Sequence, residues 1–98
     1  MINREDFTFT IGYRGNTAIV NGSLKRKYSK MSALELAERG MFKQAICYAL
    51  YTASNEDLES ILEMYNEHNE NKIQDTEELK RIFGITRIPE EVTKVIAM

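Results

Sequence analysis

Cysteine, histidine and proline each occur once among the 98 residues, and tryptophan is missing altogether. A lone cysteine, Cys47, excludes an internal disulfide framework. It lies in the apolar run Ala45 to Tyr51, where a free cysteine behaves as a small buried hydrophobe. Transition-metal sites usually draw on several His or Cys ligands, so neither a metal site nor a cofactor is expected. His68 sits in the most polar stretch and reads as a solvated loop residue. Long apolar runs are also missing. The stretch from Ala45 to Tyr51 is the longest, far short of the roughly 20 residues that a membrane helix needs. The opening residues lack the apolar core of a secretory signal. A cytoplasmic setting without membrane contact is therefore expected. No Ser/His/Asp set, no histidine near Cys47 in sequence and no phosphate-binding loop stands out, and no pair of carboxylates is singled out. No catalytic residue is assigned on this basis.

Charge is nearly balanced overall, at −2, but unevenly spread. Residues 1–30 carry six basic and two acidic side chains; residues 31–98 carry seven basic and thirteen acidic. Either the two halves are simply solvated differently, or the molecule has one basic face.

Phe7, Phe9, Ile11 and Tyr13 alternate with Thr8, Thr10 and Gly12, a period of two that predicts a strand with one buried face. A turn follows at Arg14, Gly15 and Asn16, then a second strand over Thr17 to Val20. Asn21 and Gly22 form the strongest two-residue hairpin signal, which predicts a third strand over Ser23 to Tyr28. Beyond it the chain reads as helical. Ser32 and Glu35 have capping-box spacing, and Gly40 ends that helix. The segment Met41 to Ala53 is apolar nearly all round, so other elements must enclose it. Ser54 and Asn55 open a helix with Leu58, Ile61, Leu62 and Tyr65 in one stripe. Residues 68–74 read as a loop, and Asp75 or Thr76 caps a helix stopped by Gly84. Pro89 sits where it would open a last helix bearing Val92, Val95 and Ile96.

Three short stretches resemble known motifs. Gly12 and Gly15 have the G-x-x-G spacing of the KH-domain loop, which approaches nucleic-acid phosphates; that loop joins two helices, whereas both flanks here read as strands. Gly40, Phe42 and Ala45 are similar to the second helix of a tetratricopeptide repeat, but no copy recurs at its period. Residues 66–77 resemble an EF-hand loop at Ile73 and Glu77, and depart from it at Asn66, His68 and Asn71.

The expected fold is α+β: one domain over residues 1–98, with an N-terminal three-stranded antiparallel β-meander (1–30) followed by a body of four or five short α-helices (31–98). The expected function is that of a small non-enzymatic cytoplasmic protein, a protein–protein interaction or regulatory module whose partner protein is not identified. A homodimer through Tyr48 and Tyr51 on the apolar helix is part of that expectation. The alternative is nucleic-acid binding by the basic hairpin of residues 14–30, with Arg14, Lys25, Arg26, Lys27 and Lys30 on phosphates. A small enzyme is a third reading, for which the sequence singles out no site.

Overall fold

The computed structural model describes residues 1–70 and 72–98; Asn71, which the loop and EF-hand readings include, lies outside the described residues. It is an α+β fold, with six helices and a three-stranded mixed sheet among those residues.

The chain opens with helix α1 (Arg4–Thr8) where the alternation predicts a strand. Asn3 is its N-cap, accepting from the Asp6 N–H at 2.8 Å, and Glu5 and Asp6 complement the first turn. Phe7 and Phe9 are buried as expected, but from a helix and its cap rather than from one strand face. The strand begins later, as β1 (Thr10–Arg14). It pairs antiparallel with β2 (Thr17–Val20), with a bulge between Thr10 and Gly12. Gly15 supplies the positive φ, +61°, that the two-residue turn between them needs.

The second hairpin does not form. Asn21 and Gly22 instead start helix α2 (Gly22–Tyr28), with the Asn21 side chain accepting from the Leu24 N–H at 3.1 Å. The same asparagine that favours a tight turn is also a strong N-cap. The run from Ser23 to Tyr28 has no β-branched residue to hold a strand.

Helix α3 (Ala33–Glu38) carries the expected capping box of Ser32 and Glu35. Helix α4 (Phe42–Tyr51) is the central element, packed against α1, α3 and α5 (Asn55–Glu67), with Ala45, Ile46, Cys47 and Ala49 buried. Helix α6 (Thr76–Ile82) is capped by Asp75, whose side chain accepts from the Glu78 N–H at 2.8 Å.

The last predicted helix is a strand, β3 (Lys94–Ala97). Val92, Thr93, Val95 and Ile96 are β-branched and suit a pleated surface. Pro89 belongs to the irregular run before it rather than to a helix start. The third strand of the sheet thus comes from the far end of the chain and runs parallel to β2, with Thr17 paired to Lys94 and Val20 to Ala97. The N-terminal antiparallel meander is therefore replaced by a mixed sheet of order β1-β2-β3. Ala18 and Val20 face inward from its centre and are fully buried.

Candidate functional site

Strand β3 borders no further strand among the described residues, and all four of its residues are exposed. The direction of its backbone groups follows from its bonds. Lys94 and Met98 donate toward β2, to the carbonyls of Asn16 (3.2 Å) and Val20 (2.9 Å). N–H groups alternate sides along a strand, so Ile96 also points inward, while Val95 and Ala97 turn theirs outward.

The apolar side chains at this edge are open as well. Val95 is 41 % exposed and Ile96 55 %. Ile96 lies in register with Ile19 and, through it, with Gly12, above which there is open space. Arg14, Thr17 and Lys94 form the neighbouring row on the same face. Beside the edge runs a groove of about 390 Å³, lined by Met1, Ile2, Asn3, Asp6, Glu90, Val92, Thr93 and Val95.

A second cleft, about 400 Å³, lies between β1, α4 and the irregular segment 83–92. Its apolar walls include Phe7, Phe83, Ile85 and Val92, and its polar groups include Tyr13, Lys43, Cys47, Arg87 and Glu91. Arg87 donates twice to Glu91, at 2.6 and 3.0 Å. These hydrogen bonds hold the Glu91 carboxyl down to about 2 and push the Arg87 guanidinium up. Burial pushes the Cys47 thiol up to about 12, against the lowering effect of Lys43. Cys47 is thus a neutral thiol at physiological pH, not an activated nucleophile. Burial also raises the Tyr13 phenol, with Cys47 adding to it.

The residues singled out in the sequence are scattered. Lys25 is engaged by Asp6 at 2.6 Å. Arg26 and Lys27 are exposed on α2, and Lys30 is exposed just past it. Lys27 lies over the Tyr28 ring (5.4 Å), which Arg39 also approaches (5.9 Å). Arg14 is at the opposite end of the β1–β2 hairpin from the start of α2, so the structure does not gather all five cations. Tyr48 and Tyr51 lie beneath the N-terminal residues of their own chain. The Arg4 guanidinium sits 4.4 Å from the Tyr48 ring centre. The Tyr51 hydroxyl donates to the Ile2 carbonyl at 2.8 Å, and its ring is 6.0 Å from that of Phe7.

Sequence reasoning missed both the β3 edge and the cleft. The β-branched content of residues 92–96 was a usable signal for the first. For the second, only the i, i+4 spacing of Lys43 and Cys47 was visible. No group of three or more His, Cys, Asp or Glu side chains placed to hold a metal ion occurs among the described residues. None of the described helices is long and apolar enough to cross a membrane. No protein-family model, curated protein or solved structure matches the chain.

Proposed function

We propose that the protein is a non-enzymatic cytoplasmic interaction module that takes an extended segment of a partner protein along the free edge of β3. The observation that supports this reading is the outward direction of the Val95 and Ala97 N–H groups on an exposed edge strand, with an open groove of mixed polar and apolar lining beside Val95. An added strand would pair those groups and lay alternate side chains into the groove and onto the outer face. Covering the exposed parts of Val95 and Ile96 would contribute on the order of 2 kcal/mol. Proteins often protect an edge with charge or proline; here Lys94 is the only charge on the strand, and Val95 to Ala97 is apolar.

The test compares capture of partners from native lysate by the wild type and by Ala97→Pro. Proline at 97 removes an outward donor and leaves the β2 ladder intact. A partner retained by the wild type and lost by Ala97→Pro is the expected result. A partner held equally by both would overturn the reading. Sedimentation equilibrium of the purified wild type shows whether a second copy of the chain is the occupant.

A second reading, phosphate binding by Arg26, Lys27 and Lys30, is supported by their exposure and by the lack of an acidic partner among the described residues. Titration with single- and double-stranded DNA at low salt tests it, since such binding falls steeply as salt rises.

A further inference from the structure

The cleft between β1 and segment 83–92 has the volume of a small-molecule site, where clefts of roughly 300–1,000 Å³ are usual; its own is about 400 Å³. Its charge is simple to count. Arg87 and Glu91 neutralise each other through two short hydrogen bonds on the rim. Cys47 carries no charge at physiological pH. Lys43 is left as the surplus cation. It is half-buried and has no ion-pair partner among the described residues. A lysine partly withdrawn from water without a counter-ion gains from an anion placed beside it. Tyr13 adds a hydroxyl to the wall, and Phe83, Ile85 and Val92 add apolar surface.

We propose that this cleft binds a small amphipathic anion, with its acidic head on Lys43 and Tyr13 and its flat apolar body against Phe83, Ile85 and Val92. The site is separate from the β3 edge. Its ligand class is set by one uncompensated cation in a cleft that is part polar and part apolar, so a carboxylate, sulfonate or phosphate head on an apolar body would serve.

Two probes separate the charge from the body. The purified chain is titrated with 8-anilinonaphthalene-1-sulfonate and with N-phenyl-1-naphthylamine, which has the same ring system without the charge. Both bind the wild type, and amide shifts on adding the sulfonate cluster at Tyr13, Cys47 and Ile85. Lys43→Met weakens the sulfonate roughly tenfold or more and leaves the neutral probe within about twofold; Lys43→Arg restores the sulfonate. The proposal is overturned if the sulfonate does not bind, if its shifts map elsewhere, or if both probes respond equally to the loss of Lys43. The shift map and Lys43→Arg decide the matter even if Lys43→Met folds poorly.

Discussion

The backbone N–H of Gly22 donates to the carbonyl of Met98 at 3.0 Å, joining the first residue of α2 to the residue that follows β3. A Cβ built on Gly22 would stand 3.1 Å from that oxygen and 3.5 Å from the Ala97 Cβ. Glycine is needed here for close approach and not for a left-handed turn. Gly22→Val should therefore destabilise the protein by about 1–3 kcal/mol through overpacking, and should remove the slow exchange of the residue-22 amide. Chemical denaturation and amide exchange check both. A neutral substitution would mean that this contact does not form.

Ala53 is the only non-glycine residue at positive φ, +54°, among the described residues. It follows α4 in the arrangement that usually places glycine there: the N–H groups of Ala53 and Ser54 bond back to Leu50 (3.1 Å) and Ala49 (2.9 Å). Ala53→Gly relieves the strain at a smaller cost in unfolded-state entropy. The expected outcome is a net gain of about 0.5 kcal/mol in thermal or denaturant unfolding. A loss of stability would contradict the strain.

Asp6 and Lys25 meet at 2.6 Å, with side-chain exposures of 10 % and 33 %. The two ends of the pair are unequal. Removing Lys25 leaves a nearly buried carboxylate without its cation; removing Asp6 leaves an ammonium that can turn to water. Lys25→Met should cost about 2 kcal/mol and Asp6→Asn about 1 kcal/mol. The order of the two losses is the informative quantity, and its reversal in urea melts would count against the pairing.

Glu91 has its carboxyl held down to about 2 by Arg87. A depressed folded-state pKa gives stability that is present above the ordinary carboxylate range, near 4.5, and is lost as pH falls toward 2. The segment 83–92 should therefore keep its chemical shifts down to about pH 3. Carboxyl NMR should find Glu91 titrating near 2 in the wild type and close to the ordinary range in Arg87→Gln. An ordinary titration in the wild type would mean that the pair is not formed in solution.

Much of the helical body was legible in the sequence because its signals are local: Ser32 with Glu35, Gly40, Ser54 and Asp75 each act on backbone groups within a turn of themselves. The sheet was harder to read for two reasons. Leu24 and Tyr28 are four apart, which satisfies both a strand face and a helix face, and Asn21 serves both a turn and a cap. Val92, Val95 and Ile96 have helical spacing, yet β3 exists because β2, far away in sequence, offers it an edge. The candidate sites inherit that difficulty. The β3 edge depends on this long-range pairing, and the cleft depends on where residues 83–92 cross β1. Lys43 and Cys47 share a helix face, which places one wall of the cleft and says nothing of the other.

The openness of the β3 edge is tested most directly by amide exchange at Val95 and Ala97 relative to Ile96. In dilute protein the expected result is an alternation, with Val95 and Ala97 exchanging about tenfold or more faster than Ile96. With a captured partner bound, Val95 and Ala97 should slow to the rate of Ile96. Protection of Val95 and Ala97 equal to that of Ile96 in the dilute free chain, or fast exchange at both in the complex, would contradict an edge that receives a strand.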